Sequence, residues 1–398
     1  MARILRPDET VAGYTIVRRL GAGAFAVAYE ATDRHGGRVF FKQYKSPTPT
    51  VSWYGGYARY QDEIKRRIET TNASRFCYKF IEFFEATAGN TCYFQVFEFV
   101  EHGDDLGEIL TRAAAGSRLS WDQRMILARV MMAGIAALHD AGIVHCDLKP
   151  GNIELFADDT IAAKYRLKLV DFDWSLLADR RAPWHGFQGY VTSPAYSSPE
   201  HLRAEVPTSA SDIFTCGLML YQLLAGPHPY GFDSDTEYGR AVLGYTASLP
   251  AFPDFVGSPS DAADLAKVIR RCLDPQPAGR PTAVDVLGVL RGGRAGGKGW
   301  LRLVGLSGAT ITVRVPTDVG RNVLARFGPD IAFLDAVQFS LEPAAGGWYV
   351  VPRAGTTNET LLNGRRLMAR SPVHQGDTLA VGREGTGAAK LPMTVELP

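Results

Sequence analysis

Short segments in which apolar and polar residues alternate fill most of the first hundred residues, and glycines separate them. This period of two predicts antiparallel strands over residues 14–17, 21–29, 38–42, 77–85 and 91–99. Residues 58–70 instead place Ile64 and Ile68 at helical spacing among many charges, which predicts an exposed helix. The glycine- and aromatic-rich residues 51–56 before it are typical of a loop. We therefore expect mostly sheet with one helix in this region.

From residue 103 onward the hydrophobic period becomes helical and predicts helices over residues 121–139, 211–224, 261–272 and 282–290. Residues 291–299 contain too much glycine to bury a core, which predicts a flexible linker. Glycine-punctuated β-rich segments at residues 301–315, 348–351 and 377–381 then predict a small β-sandwich. The predicted domains are residues 1–290, with a β-rich lobe to about residue 100 and a helical lobe after it, and residues 300–398.

Composition narrows the function further. The 398 residues are 46% hydrophobic and 21% charged, a globular composition long enough for two or three domains. The formal net charge of +1 gives no basic field that would attract nucleic acid or an anionic membrane, so neither is an expected partner. Five widely spaced cysteines form no Cys-x-x-Cys pair and are expected to be reduced thiols. With no leader-like or membrane-spanning pattern in the sequence, we expect a cytoplasmic protein.

The densest group of reactive side chains is the segment from His145 to Asn152, followed after a strand-like stretch by Asp171. It offers a candidate proton acceptor in Asp147, a cation in Lys149, an amide oxygen in Asn152 and a second carboxylate in Asp171. The transition state of phosphoryl transfer spreads negative charge over phosphate oxygens, so such a site needs oriented metal ligands and a cation. The segment therefore predicts a phosphoryl-transfer site.

A glycine pair and a lysine precede this segment on neighbouring strands. The small residues at 21–27 let backbone amides approach phosphates, although a glycine pair alone more often marks a plain tight turn. Lys42 closes the next strand, where it could reach the same phosphates. Glu63 on the following helix could orient Lys42 by an ion pair, with Asp62 as the rival. The last strand before the helical lobe could meet an adenine edge beyond Phe97, or could simply be a core strand.

The order of these parts resembles that of the Hanks-type (eukaryotic-like) serine/threonine protein kinases over roughly residues 14–290. The resemblance implies a bilobal α+β kinase fold, ATP and Mg²⁺ as cofactors with Mn²⁺ as an alternative metal, and protein substrates that carry serine or threonine. It assigns an ion pair with Lys42 to Glu63. Nucleotide binding falls to Gly21, Ala22, Gly23, Phe25, Lys42, the gatekeeper Phe97, and the hinge from Glu98 to Val100.

In the catalytic loop, the resemblance makes Asp147 the group that accepts or orients the substrate hydroxyl proton. It makes Lys149 the cation that neutralises the transferring phosphate, as in the serine/threonine-specific branch. The remaining assignments are Mg²⁺ binding by Asn152 and Asp171, substrate positioning by Ser193, a structural ion pair between Glu200 and Arg280, and bracing of the catalytic loop by Asp212.

Three positions depart from the family pattern. Ala26 replaces the third glycine of the loop, which leaves the backbone donors in place. Asp173 replaces the glycine of the DFG motif and puts a second carboxylate beside a metal ligand. Cys146 replaces the arginine that pairs with a phosphorylated activation loop, and residues 176–189 contain no serine, threonine or tyrosine. We therefore predict a kinase that does not need phosphorylation in this upstream part of the loop.

The C-terminal region, over roughly residues 300–398, resembles the forkhead-associated domain, a phosphothreonine-binding β-sandwich, at residues 320–321, 356–364 and 375–382. Arg321 and Asn358 occupy phosphopeptide-contacting positions. The family's serine and histidine fall at Asp335 and Gln338, and Glu359 replaces a glycine. Because an aspartate repels an approaching phosphate, the pattern favours a degenerate docking or self-regulating domain over a working phosphothreonine reader.

The combined interpretation is an ATP- and Mg²⁺-dependent serine/threonine protein kinase with a C-terminal docking or regulatory domain. Two alternatives stay open. The first is a pseudokinase scaffold, which Asp173 and the altered glycine loop favour and which Lys42, Asp147, Asn152 and Asp171 oppose. The second is a small-molecule kinase such as an antibiotic phosphotransferase, which Lys149, residues 198–200 and Asp212 oppose.

Overall fold

The computed structural model describes every residue except 1–2, 24, 49, 102, 115–118, 162, 188, 253–258, 293–299, 315, 345–346, 386–388 and 398. The chain divides into two compact units, Met1–Gly257 with Val268–Ala283, and Ser258–Lys267 with Val284–Pro398. The linker predicted over residues 291–299 lies outside the described residues from residue 293 onward. None of the helices in the described part of the chain has the length and apolar character that a membrane crossing requires.

The first unit begins with a six-stranded antiparallel sheet of order β1-β2-β3-β4-β6-β5, as the period-two pattern predicted. Alternate residues of each strand enter one core, in which Val39 and Phe41 from one strand pack near Phe94 and Val96 from its neighbour. One helix, α1, crosses between β4 and β5. These elements are β1 (Thr10–Val11), β2 (Tyr14–Ala22), β3 (Ala26–Thr32), β4 (Arg38–Tyr44), α1 (Tyr54–Glu69), β5 (Phe80–Ala88) and β6 (Asn90–Glu98).

Helix α1 starts at Tyr54, so the loop predicted over residues 51–56 is wrong in its last three positions. Trp53 just before the helix packs its ring against Tyr57, Trp174 and Trp184, with ring centroids 6.1–6.3 Å apart. Burial of this aromatic cluster outweighs the low helix propensity of the two glycines in the first turn. The helix entry is therefore fixed by tertiary packing rather than by local sequence.

Helices dominate residues 106–290, as predicted. Helix α3 begins with a capping box between Ser120 and Gln123, and helix α5 is almost entirely buried. The elements are β7 (Asp104–Asp105), α2 (Leu106–Ala114), α3 (Trp121–Asp140), β8 (Ile143–Val144), β9 (Ile153–Ala157), β10 (Tyr165–Leu169), β11 (Leu176–Leu177), α4 (Pro199–Leu202), α5 (Ser209–Ala225), α6 (Asp235–Leu243), α7 (Pro259–Cys272) and α8 (Ala283–Leu290).

The C-terminal region is all β, with one sheet of order β13-β12-β21-β20-β17-β18 and another of order β14-β15-β16-β19. Side chains from both sheets, among them Leu303, Val350 and Val381, share one buried core. The predicted fold class, a bilobal kinase fold followed by a small β-sandwich, is thereby confirmed. The strands are β12 (Leu301–Gly305), β13 (Thr310–Val313), β14 (Thr317–Val319), β15 (Phe339–Ala344), β16 (Gly347–Pro352), β17 (Glu359–Leu362), β18 (Arg365–Arg366), β19 (Ser371–Val373), β20 (Thr378–Gly382) and β21 (Lys390–Glu396).

Candidate active site

A cavity of about 630 Å³ lies in the first unit between the N-terminal sheet, α1 and the segment after β10. Its volume suits a small-molecule ligand of nucleotide size. Apolar surface makes up most of its wall, and three of the charged residues that line it, Lys42, Asp171 and Asp173, lie in contact with one another. The predicted site residues that line it are Lys42, Phe97, Glu98, Val100, Asn152 and Asp171.

The glycine-rich segment forms the tight turn between β2 and β3. Gly21 and Ala22 close β2, and the Gly23 amide donates to the Ala26 carbonyl at 2.9 Å. The Phe25 ring packs against Trp174 at 5.1 Å. A Cβ placed on Gly21 would meet no atom of the described residues within 4 Å, so the turn leaves open space beside its backbone amides. Of this region, Leu20 lines the cavity, whereas Gly21, Ala22, Gly23 and Phe25 are not among its lining residues.

The predicted hinge begins where β6 ends. Phe97 packs edge-on against Phe40 of β4, with ring centroids 6.2 Å apart, and both rings line the cavity. The Glu98 amide donates to the Lys79 carbonyl at 2.9 Å, and the Glu98 carboxylate accepts from Lys168 at 3.2 Å. The Glu98 carboxylate also accepts from the Lys79 amide at 3.0 Å, so two lysine residues hold its side chain in place. The backbone beyond Phe97 runs along the cavity wall to Val100.

Two predicted residues of the catalytic loop, Asp147 and Lys149, meet the predicted substrate-positioning residue Ser193 in a closed triangle. The Ser193 hydroxyl donates to Asp147 Oδ1 at 2.9 Å and accepts from Lys149 Nζ at 3.0 Å, while Lys149 Nζ lies 3.3 Å from Asp147 Oδ2. Asp147 is 9% exposed, so its carboxylate is oriented by these partners rather than by bulk water. The triangle holds a carboxylate and an ammonium side by side where a hydroxyl group already binds both.

The side chain of Asp212 on α5 anchors the backbone of the catalytic loop. The Asp212 carboxylate accepts from the amides of His145 at 2.8 Å and Cys146 at 3.0 Å, and it lies 2.9 Å from His139 Nε2. These contacts hold Cys146 at a φ of 70°, a left-handed conformation that non-glycine residues seldom adopt. Burial alone would raise the pKa of Asp212, but the bonds from His139 and the loop amides outweigh it and lower the pKa.

Asn152 and Asp171 supply donors that suit Mg²⁺. The Asn152 side-chain amide donates to the Asp147 carbonyl at 2.7 Å, so its oxygen faces another direction as an acceptor. Asp171 has a φ of 68°, and its carboxylate reaches the cavity wall. Burial opposes ionisation of Asp171, but Lys42 outweighs it and lowers the pKa to about 2. An ionised carboxylate and an amide oxygen are hard ligands of the kind that Mg²⁺ prefers.

Lys42 does not pair with Glu63 as predicted. Its Nζ contacts Asp171 Oδ1 at 2.8 Å and Asp173 Oδ2 at 2.6 Å. Glu63 instead accepts from Arg66 at 2.7 Å and from Arg67 at 3.0 Å. The reason is helical geometry, because Glu63 lies on the arginine-rich side of α1 and not on the face toward the cavity. The rival Asp62 is exposed, so it is not the partner either.

Three residues without a role in the sequence-based prediction, Tyr44, Gln61 and Asp173, complete the Lys42 pocket. Asp173 Oδ1 accepts a hydrogen bond from the Tyr44 hydroxyl, and Gln61 Nε2 donates to the Asp173 carbonyl at 3.0 Å. Burial, together with the nearby charge of Asp171, raises the pKa of Asp173 to about 6 despite the opposing effect of Lys42. Helical spacing could have found Gln61, which precedes Ile64 by one turn and is buried.

The ion pair between Glu200 and Arg280 is buried and bidentate. Arg280 donates to the two carboxylate oxygens of Glu200 at 3.0 and 2.8 Å and to the Ala210 carbonyl at 2.7 Å. Both side chains are at most 3% exposed. Burial alone would raise the pKa of Glu200, but Arg280 outweighs it and lowers the pKa. The pair links the start of α4 to the start of α5.

In the C-terminal unit, Arg321 and Asn358 converge on one loop. Arg321 donates from Nε and Nη2 to the Leu334 carbonyl at 3.2 and 2.9 Å, and Asn358 Nδ2 donates to the Phe333 carbonyl at 2.8 Å. The neighbouring Asp335 carboxylate accepts from the Thr357 amide at 2.7 Å and from the Thr357 hydroxyl at 3.1 Å. Both predicted phosphopeptide residues therefore bond to the protein's own backbone beside an acidic side chain.

The chain is similar to known protein kinases. Calcium-dependent protein kinase SK5 of Glycine max is 30% identical over 276 residues, which are 69% of this chain and 50% of that protein. A calcium and calcium/calmodulin-dependent serine/threonine-protein kinase of Oryza sativa subsp. japonica is 36% identical over 183 residues, 46% of this chain and 33% of that protein. Calcium-dependent protein kinase 5 of Arabidopsis thaliana is 29% identical over 276 residues, 69% of this chain and 46% of that protein.

The matched part of this chain thus spans half or less of each of these relatives. The protein kinase domain family itself matches residues 14–289, which is more than half of the chain. This range includes the glycine-rich turn, the Lys42 pocket and the catalytic loop described above. The chain therefore belongs to the protein kinase domain family.

Proposed function

We propose that this chain transfers the γ-phosphoryl group of ATP to serine or threonine hydroxyls of protein substrates, in the presence of Mg²⁺. The observation that carries the proposal is the triangle of Asp147, Lys149 and Ser193, in which a carboxylate and an ammonium already hold a hydroxyl group between them. A substrate hydroxyl entering beside Ser193 would find the same two groups. The names of the relatives, which include a serine/threonine-protein kinase, support this choice of acceptor.

The chemistry assigns one role to each group. As the substrate oxygen forms its bond to the γ-phosphorus, the bond from that phosphorus to the β,γ-bridging oxygen breaks and ADP leaves. Asp147 orients the attacking hydroxyl and takes up its proton, which then passes to solvent. Lys149 offsets negative charge that develops on the transferring group. Ser193 fixes the directions of both side chains.

The nucleotide would lie in the cavity, with its base against the rings of Phe40 and Phe97 and its phosphates toward Lys42. Asn152 and Asp171 would hold Mg²⁺, which neutralises phosphate charge when it is bound. The amides of Gly21, Ala22, Gly23 and Phe25 would complete the phosphate site. The rings of Phe40 and Phe97 and the polar groups of Lys42, Asn152 and Asp171 line one cavity, which supports nucleotide binding there.

Transfer of labelled γ-phosphate from ATP tests the proposal directly. We expect wild-type protein, first treated with phosphatase, to label serine or threonine of a generic protein substrate, whereas Asp147→Asn lowers the rate by about 10²- to 10⁴-fold. Asp104→Asn, which alters an exposed carboxylate paired with Arg112, is the matched control. Nucleotide binding without transfer would favour a pseudokinase scaffold, and transfer to an aminoglycoside but not to protein would favour a small-molecule kinase.

We further propose that activity does not depend on phosphorylation of residues 176–189. Cys146, at the position of the phosphate-pairing arginine, is buried, so no positive side chain is offered there. Asp179 supplies a fixed negative charge instead, and both of its carboxylate oxygens accept from Arg67 of α1 at 2.9 and 2.7 Å. Arg180 adds a second link, 3.5 Å from Glu63. These contacts join the segment to α1, as a phosphate-arginine pair would.

The test compares phosphatase-treated wild-type protein with Asp179→Asn. We expect the treated wild type to keep full activity and its intact mass to show no phosphate. Because Asp179 is largely exposed, Asp179→Asn is expected to lower the rate by only about two- to fivefold. Asp104→Asn again serves as the control. If treatment abolishes activity and a phosphate on the activation loop restores it, the activation loop is regulated in the ordinary way.

For the C-terminal region we propose a docking or regulatory role that does not read phosphothreonine. The bonds of Arg321 and Asn358 to the backbone of residues 333–334, and the carboxylate of Asp335 beside them, support this choice. Tethered to a catalytic domain over residues 1–290, residues 300–398 would raise the local concentration of a partner. Full-length protein titrated with a phosphothreonine peptide and its plain threonine twin should show no preference. A clear preference for the phosphorylated peptide would refute the role.

A further inference from the structure

Lys42 is almost enclosed, with 16% of its side chain exposed, and two carboxylates share its ammonium group. The two differ in what else they can do. The Asp171 side chain is 39% exposed, and its carboxylate oxygens suit a metal ion. The Asp173 side chain, in contrast, is only 8% exposed. If Asp171 turns to Mg²⁺ in the loaded protein, the carboxylate that remains beside Lys42 is Asp173.

Asp173 is fixed at both its side chain and its backbone. The Tyr44 hydroxyl of β4 holds one carboxylate oxygen, which leaves the other for Lys42. The carbonyl group of Asp173 accepts from the Tyr57 hydroxyl at 3.1 Å and from Gln61 Nε2 at 3.0 Å, both on α1. A residue whose carboxylate and backbone carbonyl each have two partners has little rotational freedom. It can therefore dictate the direction of a flexible lysine side chain.

Helix α1 places no charged side chain against Lys42 among the described contacts. Its inward position is Gln61, which is neutral and buried, while Glu63 is committed to arginines on another face. A buried ammonium group is costly unless it is paired. The carboxylates of Asp171 and Asp173, 2.8 and 2.6 Å from Lys42 Nζ, supply that pairing.

We propose that Asp173 is the residue that positions Lys42 against the phosphates of ATP, in the role that the family resemblance gives to Glu63. Asp173 is then a positioning residue, since it acts through Lys42 and is not assigned a contact with substrate. The inference rests on the proposed kinase function and deepens it. It also turns the departure from the DFG pattern into an argument for activity, because the added carboxylate replaces the one that α1 lacks.

The first test measures Lys42 itself in nucleotide-free full-length protein. Acetylation by acetic anhydride is followed by mass spectrometry, with the exposed Lys164 as internal reference. We expect Asp173→Asn to raise the relative acetylation rate of Lys42 at least about threefold, because the amine loses a charged partner. Asp62→Asn, a matched change on the exposed face of α1, should leave the rate at the wild-type value. An unchanged rate in Asp173→Asn would overturn the proposal.

The second test moves the carboxylate back to α1. We expect Asp173→Gly to lower kcat/KM for ATP by about ten- to hundredfold, since the lysine is no longer aligned. Gln61→Glu alone should also lower it, because a third carboxylate joins the pocket. In the Asp173→Gly background, however, Gln61→Glu should raise kcat/KM at least tenfold. A change with the same sign in both backgrounds would show that Asp173 only fills space and would refute the positioning role.

The two tests separate this inference from the proposed function. If wild-type protein transfers phosphate but Asp173→Asn has wild-type kcat/KM, the inference fails and the kinase stands. If wild-type protein transfers no phosphate, the kinase proposal fails, and the acetylation rate of Lys42 still decides whether Asp173 governs its side chain.

Discussion

Asp147 and Lys42 are both charged groups that must be held in one direction, and the molecule holds them in different ways. The partners of Asp147 are Lys149 and Ser193, two residues of the predicted set. Lys42 pairs with Asp171 and with Asp173, which replaces a glycine of the family pattern, and not with the predicted carboxylate of α1. The surroundings of Asp147 thus match the family pattern residue by residue. Beside Lys42 the negative charge is kept, but another residue supplies it.

The difference shows what each site requires. In the proposed reaction, Asp147 must lie within hydrogen-bonding distance of the substrate hydroxyl, so its surroundings tolerate few arrangements. Lys42 needs only a fixed negative charge within a small volume, and a carboxylate from either wall of the cavity can provide it. The pattern of motifs is therefore strict where groups meet substrate. It is looser where one protein side chain only steadies another.

Replacement of Asp147 is expected to have the largest effect and sharpens the comparison most. Asp147→Asn keeps the shape and the bond from Ser193 but cannot take a proton, so kcat should fall by about 10²- to 10⁴-fold. Steady-state kinetics at saturating ATP measures this, and the urea unfolding midpoint checks that the fold is intact. A loss no larger than that of Asp173→Asn would mean that the two regions are equally strict.

The sequence predicted what depends on local spacing. Strand and helix positions followed from the hydrophobic period, and the residue types in the segment from residue 145 to residue 152 indicated a phosphoryl-transfer site. The partner of Lys42 was missed because it depends on which face of α1 turns inward and on a bond from Tyr44 to a residue far along the chain. The face itself was readable, since Gln61 and not Glu63 lies one turn from Ile64. The direction of the Asp173 side chain was not.

Asp212 tests whether the catalytic loop is as rigidly held as the comparison assumes. Asp212→Asn puts an uncharged amide against the backbone donors of His145 and Cys146, so we expect a loss of about 3 kcal/mol in the free energy of unfolding. Urea denaturation measures the loss, and amide hydrogen exchange at residues 145 and 146 should quicken. Asp104→Asn, on an exposed ion pair, should cost no more than about 1 kcal/mol. Equal losses would mean that the loop does not depend on Asp212.

Replacement of Tyr44 distinguishes the effect of the orientation of the Asp173 carboxylate from the effect of its charge. Tyr44→Phe removes the hydroxyl that holds one carboxylate oxygen but leaves Lys42 with both acidic partners. We expect a loss of about 1–2 kcal/mol in the free energy of unfolding, because a buried carboxylate loses a donor. The KM for ATP should rise less than in Asp173→Asn. If both variants raise KM equally, the orientation of the carboxylate matters as much as its presence.

The smallest expected effect concerns the start of α1, which the aromatic cluster fixes next to the Lys42 pocket. A Cβ on Gly55 would meet no described atom within 4 Å, whereas a Cβ on Gly56 would lie 3.0 Å from Pro183 Cβ. Gly55→Ala should therefore stabilise the helix by about 0.5 kcal/mol, through the lower conformational freedom of alanine in the unfolded chain. Gly56→Ala should gain nothing or destabilise, because the neighbouring segment has to shift. Thermal unfolding of the two variants measures the contrast. A gain of the same size in both would show that the start of α1 is held less tightly against residue 183 than the packing indicates, so that the helix entry adds little rigidity beside the Lys42 pocket.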